Sequence, residues 1–427
     1  MGGVVIILMF AFFLILGVNI ALSLGISSLV YMLLLMEKVS LTAIPQKMFT
    51  AVDSSALIAI PLFVLAGELM NSGGISRRLI NFTTSIVGHV RSGLSMVGVL
   101  ACMFFGGITG SAIADTAAIG SVLIPSMTEK GYKKPYSAAL LAAAGSIGPI
   151  IPPSIPMVVY GSIAGVSVGK MFMGGYIPGV MIAVALMCVC YIIGVKEGHP
   201  KEVKATMRQR WTAFKDAILA LITPIIIMGG ILGGVVTPTE AGVLGAIYAF
   251  VVGVFIYHEL GWSKLPKILA NTAVTSGIVV LVMATASVFG WVLAYERIPQ
   301  IVAGGFLAIS NSPFVILMMI MGIMLIVGMF LDGTAALIIM TPVFLPVVSS
   351  MGIDLVFFGV LMAINICIGT LTPPVGVCLY VAGGIAKVSM EEISKAIIPF
   401  VLVITGILFI LVLFPQIIMF LPNSLMK

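Results

Sequence analysis

Two aspartates carry the chemistry this sequence offers. Asp115 stands in Gly106–Pro125, GGITGSAIADTAAIGSVLIP, and Asp332 in Gly328–Pro342, GMFLDGTAALIIMTP. Each sits among small and hydroxyl residues inside a long apolar run. Ionisable groups in such a setting are costly to hold and usually functional. A carboxylate there has three candidate roles: ligating a cation, carrying a proton, or capping a returning half-helix. The two are 217 residues apart, and the same offset separates Gly17 from Gly234 and Tyr31 from Tyr248. Pro152-Pro153 and Pro178 recur at an offset of 221, as Pro373-Pro374 and Pro399. A near-constant offset across separate elements points to a duplicated unit with one site in each copy.

Other reactive side chains have plainer readings. Glu68, in FVLAGELMN, is near the end of an apolar span and within reach of water. Glu240, in TPTEAG, follows a proline at a helix start, where a carboxylate stabilises the dipole. Arg297, in YERIPQ, reads as an interfacial anchor, with reception of an anion as the sharper alternative. His89, His199 and His258 fall in polar connections, so no histidine-based catalytic or metal site is expected. The five cysteines lie in apolar stretches without metal-ligand spacing, so neither a disulfide nor a metal centre is expected.

The elements that must position these residues follow from composition. The chain is 61% hydrophobic and 8% charged, where a soluble domain carries about a quarter charged residues. An all-α polytopic membrane protein is implied. The net charge of +6 does not indicate a nucleic-acid partner, because the basic residues fall in short connections between apolar spans. The start, MGGVVIILMFAFFLILGV, lacks a basic n-region and reads as a membrane helix rather than a signal peptide.

The first repeat is expected over 1–205. It holds two spans within 3–36, a connection at 40–50, a span at 53–71 and an interfacial segment after it. A re-entrant hairpin at 92–127, a broken helix at 136–168 and a span at 176–195 complete it. The second, 206–427, repeats the order: spans at 217–235, 241–257 and 272–296, an interfacial piece at 298–311, a hairpin at 313–349, a broken helix at 356–387, then a short amphipathic piece and a last span at 396–421. Each hairpin is inferred from the polar, glycine-containing break in its middle, the alternative being two ordinary spans joined by a tight turn. Each broken helix is inferred from clustered prolines, which lack a donor and clash one turn back. Five crossings plus a hairpin invert the second copy. With the N-terminus outside, sixteen of the 21 Lys and Arg residues lie inside, and Lys38, Lys47, Lys170, Arg297 and Lys427 outside. That bias supports the hairpin topology. Both termini then face out, and the hairpins enter from opposite sides.

Unwound turns expose carbonyl oxygens, which together with hydroxyls suit a hard cation. One candidate set is Thr109, Ser111, Gly148, Ile151 and Pro153. The other is Asp332, Thr334, Gly369, Thr372 and Pro374. Gly110, Ser154 and Gly333, with Asp115, are candidates for supporting the hairpin tips and the cavity. Half-helix N-termini at the same tips favour an anion. A cation site beside an anion site is what cation-driven symport of a carboxylate requires.

The segments GGITGSAIADTAAIGSVLIPSM, GSIGPIIPPSIPMVVYG, GGVVTPTEAGVLGAIYAF and GTLTPPVGVCLYV resemble the large membrane subunit of tripartite ATP-independent periplasmic (TRAP) transporters, the DctM-like family. The likeness runs through almost the entire chain, and G-x-x-T-P-T-E-A-G is its most specific piece. It implies an elevator-type fold in the bacterial inner membrane, with scaffold and transport domains and no enzymatic activity. It implies two partners, a small four-helix membrane subunit and a periplasmic substrate-binding protein. It implies import of an organic acid, sialic acid or a C4-dicarboxylate, driven by sodium and requiring no cofactor. By resemblance one sodium site maps on Ser111, Gly148, Ile151 and Pro153, with Thr109 where relatives often have serine. The other maps on Asp332–Thr334 and Gly369–Thr372. The small subunit is expected as a separate chain, and overall likeness favours sialic acid. Two other functions compete: a stand-alone sodium-coupled carrier of similar architecture, and an intramembrane aspartyl protease. The protease would need both carboxylates to share a proton.

Overall fold

A computed structural model describes residues 2–36 and 39–426. Lys38 and Lys427, two of the basic residues expected outside, lie outside the described residues. The first part of the chain runs α1 (Gly2–Ile15), α2 (Ile20–Leu35), α3 (Ala43–Val52), a 3-10 turn (Ser55–Ile58), α4 (Ala59–Ser72) and α5 (Ile75–Val87). There follow α6 (Gly93–Thr109), α7 (Ala112–Glu129), α8 (Lys134–Gly145), α9 (Ile155–Ala164) and α10 (Val168–Glu197). The later part runs α11 (Met207–Leu232), α12 (Pro238–Val251), α13 (Leu265–Tyr295), α14 (Ile298–Ile309), α15 (Pro313–Phe330) and α16 (Gly333–Ser350). It ends with α17 (Leu355–Gly369), α18 (Val377–Ala386), α19 (Met390–Leu413) and α20 (Pro415–Leu425). The described residues contain no strand, and eight helices are long and apolar enough to cross a membrane.

Local chemistry sets the breaks. Gly17 (φ +79°) turns α1 into α2, and Gly234 (φ +64°) turns α11 into α12. Such left-handed residues favour glycine. Short polar side chains start the helices by accepting orphan N–H groups: Asn19 for α2, Thr206 for α11, Thr237 for α12 and Ser389 for α19. The last three also form reciprocal capping boxes with Gln209, Glu240 and Glu392. Glu240 therefore acts at its helix start, as its position after Pro238 implied.

Several bounds differ from those expected. The span expected at 396–421 is two helices. It starts earlier, at Met390, because the Ser389–Glu392 box absorbs the amphipathic piece. It stops at Leu413, where Phe414 leaves helical geometry (φ −123°, ψ 72°) ahead of Pro415. The connection at 40–50 is largely helical, as α3. The helix expected to begin at 272 begins at Leu265 and runs 31 residues, about 46 Å at 1.5 Å per residue. No breaker separates its polar first turns from its apolar body.

Two groups of helices pack among themselves and also touch each other, α13 on α16, α4 on α6, and α5 on both α6 and α11. Gly242 of α12 lies against Leu62 of α4, and Gly245 against Ile227 of α11. In both places the missing side chain lets helices approach closely. α13 packs on α2, α3 and α4, completing the first group. In the second group α8 packs on α6, α7, α18 and α19, and α17 on α9, α10, α15 and α16. Ion pairs tie the connections: Arg78–Glu259 at 2.7 Å, Lys133–Glu197 at 2.8 Å, and Lys130–Glu202.

Candidate functional site

The helices α6 and α7 form one hairpin. α6 ends at Gly110 (φ +62°), and Ser111 in extended backbone starts α7 by accepting the Ala114 N–H at 3.4 Å. Asp115 lies a turn further on and is fully buried. The Thr109 hydroxyl donates to its Oδ1, while Oδ2 has no hydrogen-bond partner. A Cβ at Gly148 would lie 2.1 Å from that free oxygen. Asp115 is thus not the cap of the returning half-helix, one of the roles considered for it. The cap is Ser111, four residues earlier, where an oxygen can reach the first-turn N–H groups.

The second hairpin, α15 and α16, is built differently at the tip. Leu331 is extended, and Asp332 itself caps α16, accepting from the N–H groups of Thr334 (3.0 Å) and Ala335 (3.4 Å). The residues in equivalent positions are therefore Ser111 and Asp332, 221 apart, and not Asp115 and Asp332. The hairpins share the offset of the double prolines, whereas Gly17/Gly234 and Tyr31/Tyr248 stand at 217.

Each tip meets the centre of a broken helix. α8 and α9 are separated by turns through residues 146–154, with a cis bond at Pro152-Pro153. Ser154 caps α9 through the Met157 N–H (3.3 Å) and donates to the Pro149 carbonyl. A Cβ on Gly110 would lie 2.5 Å from the Pro153 carbonyl oxygen, and one on Gly106 2.6 Å from Gly148 Cα. α17 and α18 are interrupted the same way, with a cis bond at Pro373-Pro374. The Val375 N–H donates to Met329 O at 3.3 Å, and a Cβ on Gly369 would lie 2.7 Å from Gly328 Cα. Bare backbone thus meets bare backbone at both crossings. Because the broken helix is met at its centre, the hairpin tip lies at that depth. The hairpin arms, 17 and 18 residues in the first and 18 in each arm of the second, are longer than expected for half-spans.

A cavity of about 250 Å³ lies between the two tips. Gly110, Ser111, Asp332, Gly333 and Thr334 line it, with Pro149 and Thr370 from the broken helices and Thr275 from α13. Of the expected residues, Thr109, Asp115, Gly148, Ile151, Pro153 and Ser154 gather behind or beside the first tip. Gly369 sits behind the second tip. Thr372 and Pro374 do not line the cavity; the Thr372 hydroxyl donates to Ile368 O at 2.7 Å, and Pro374 is exposed. Thr275 is not among the candidates, and Thr370 is covered only by the range Gly369–Thr372. Thr370 sits in the same GTLTPP turn as Thr372, a signal for that region though not for the residue. Thr275 belongs to a continuous helix and carries no motif.

Asp115 and Asp332 belong to separate hydrogen-bond sets, each within its own hairpin. No bond joins them, so the shared proton of an aspartyl protease has no support. His199 is also structural. Its Nδ1 lies 3.0 Å from Ser92 Oγ and its ring 4.4 Å from that of Tyr132. Burial holds its pKa below the ordinary imidazole range, opposed by Glu197.

Paired hairpins and broken helices around one cavity, in an all-helical membrane chain, define a transport permease. Comparison with known proteins narrows the class. The family described as "Tripartite ATP-independent periplasmic transporter, DctM component" matches residues 7–417, and the chain belongs to it. The chain is 41% identical over 412 residues to the isethionate TRAP transporter permease protein DctMQ of Oleidesulfovibrio alaskensis, covering 96% of this chain and 65% of that one. It thus spans just under two thirds of that relative. It is 38% identical to the sialic acid TRAP transporter large permease protein SiaM of Vibrio cholerae, with 95% of each chain covered. Both are named as permeases, which places the chain among transporters and not enzymes. The crystal structure of the Alcanivorax borkumensis YdaH transporter matches with a TM-score of 0.63 at 14% identity, covering 88% of this chain and 87% of that one. That likeness concerns the fold alone.

Proposed function

We propose that this chain is the translocation subunit of a sodium-coupled symporter that imports an organic acid across the bacterial inner membrane. The observation that carries the reading is a cavity touched by both hairpin tips and both broken helices. Its oxygen-bearing side chains are Ser111, Thr275, Asp332, Thr334 and Thr370, which suits a hard cation. The N-terminus of α7 faces the same space and suits an anion. Sodium is held near Thr109, Ser111, Gly148, Ile151 and Pro153 at the first tip. At the second it is held near Asp332, Thr334, Gly369 and Thr372, with Pro374 at the margin. Residues 1–205 and 206–427 act as inverted repeats, and the second helix group slides against the first as an elevator. The basic connections face the cytoplasm and both termini the periplasm, in keeping with the Lys and Arg distribution. A periplasmic binding protein delivers the substrate, and a small four-helix subunit completes the assembly. The substrate is an acid of the sialic acid or C4-dicarboxylate class, in line with relatives named for acidic cargo.

Uptake into proteoliposomes, with both partners present and an imposed sodium gradient, tests this. Uptake of one acid that collapses without sodium or without the binding protein is expected. Uptake by this chain alone would sink the tripartite reading. Sodium-independent uptake would sink the coupling.

A further inference from the structure

A second cavity, of about 350 Å³, opens beside the first hairpin. It shares Ser111, Ile113, Ile155 and Thr275 with the central one, so the two are joined along a common wall. Its other oxygen-bearing side chains are Thr109, Glu68 and Asn71. No Lys, Arg or His lines it.

Glu68 is on α4, one residue after Gly67. A Cβ on Gly67 would lie 3.2 Å from Thr109 Cα, so the helix backbone is pressed against the hairpin tip. That contact fixes where the carboxylate enters the cavity. Glu68 takes part in no ion pair or side-chain hydrogen bond among the described residues, whereas Glu197, Glu202, Glu259 and Glu391 are all paired. It lies toward the end of α4 that leads into α5, whose Arg78 pairs with Glu259. This is the end assigned above to the cytoplasm.

We propose that Glu68, with Asn71, Thr109, Ser111 and Thr275, forms a way-station for a partly hydrated monovalent cation between the hairpin tip and the cytoplasm. The inference rests on the sodium-coupled reading and deepens it. A carboxylate, hydroxyls and a carboxamide are all oxygen donors for a hard cation. The cavity is many times larger than one bare ion and leaves space for its waters, each of which occupies about 30 Å³. A lone carboxylate there attracts sodium and repels an organic anion. The two cargoes therefore meet opposite fields on leaving the central cavity, and this vestibule is the cation's route.

The test is sodium-driven uptake in proteoliposomes loaded with increasing internal sodium. Internal sodium inhibits the parent by occupying the way-station from inside. In E68Q the internal concentration for half-inhibition rises about five-fold, while external half-saturation stays within about two-fold. E68D keeps the charge and stays close to the parent. If E68Q is unstable, Asn71→Leu, which removes a neutral ligand, shifts internal inhibition in the same direction. Unchanged internal inhibition in a folded E68Q, or in Asn71→Leu where E68Q does not fold, overturns the way-station while leaving coupling intact. An equal shift on both sides also overturns it, because Glu68 would then act on the tip itself. A parent whose uptake needs no sodium overturns the coupling reading, and this inference with it.

Discussion

The first hairpin turns on Gly110 and starts its returning helix with the neutral Ser111. The second passes through extended Leu331 and starts with the carboxylate of Asp332. The backbone device is the same in both, with glycine against glycine where the tip meets the broken helix. The placement of charge differs. Asp332 is in the cavity wall, already bound to two N–H groups. Asp115 is a turn deeper, outside the wall, with one oxygen tied to Thr109 and the other free. One tip therefore starts its helix with a neutral cap and carries its carboxylate a turn further in, whereas the other starts with the carboxylate itself.

The largest effect expected is from Gly148→Ala. The new methyl would overlap Asp115 Oδ2, and we expect uptake to fall by more than about ten-fold with a lowered Tm. Gly328→Ala, whose Cβ would stand 3.1 Å from Gly369 Cα, should be milder. Equal losses would mean that the two crossings are equally tight. Next come the caps. Asp332→Ala should raise the sodium concentration for half-maximal uptake about ten-fold and cost about 1 kcal/mol of helix capping. Ser111→Ala and Thr372→Ala should raise it only about three-fold. Identical sodium titrations for Asp332→Ala and Ser111→Ala would erase the asymmetry. Asp115→Asn keeps an acceptor for Thr109 and removes only the ionisable group. We expect uptake to drop about five-fold, and full sodium-dependent uptake would limit Asp115 to positioning the tip.

Two changes outside the hairpins calibrate these. Thr237→Ala breaks the α12 capping box, at a cost of about 1 kcal/mol. It should lower Tm without moving the sodium titration. The smallest effect expected concerns His199. Its folded pKa is lowered, so the unfolded chain binds more protons. Its contribution to stability is complete above the ordinary imidazole pKa of about 6.5 and is lost as pH falls through and below it. His199→Gln should flatten the Tm-against-pH curve between about pH 7 and 5, by less than about 2 °C.

Much of this was legible in the sequence because breaks in an apolar chain are conspicuous. Pro152-Pro153, Pro373-Pro374 and the glycine-containing tips have few ordinary places in a membrane helix. Thr237 and Glu240 declare a helix start by type and spacing. The register of the hairpins was not legible. Two aspartates attract pairing by type, whereas capping depends on position, and Ser111 can fill the place that Asp332 fills. Thr275 was hidden for a different reason: a hydroxyl in an unbroken helix gains meaning only from what packs opposite. The end of the last span was obscured because Pro415 and Pro422 lie in a run that stays apolar past the turn at Phe414.

The ion pairs described among the connections have one further consequence. Arg78–Glu259 joins α5 to the turn between α12 and α13, and Lys130–Glu202 and Lys133–Glu197 join the turn before α8 to the region where α10 ends. None of them bridges from α2, α4 or α11–α13 to the hairpins or broken helices. Across that seam the described residues include glycine backbone, an edge-on aromatic pair, Phe63 with Phe172 at 6.2 Å between ring centroids, and a hydroxyl pair, Ser54 with Ser162 at 3.3 Å. Under the elevator reading proposed above, such a boundary is lubricated: one side would travel past the other without stripping any charge of its partner. Turnover limited by that travel should be nearly indifferent to ionic strength, and should respond instead to whatever thickens or stiffens the surrounding lipid.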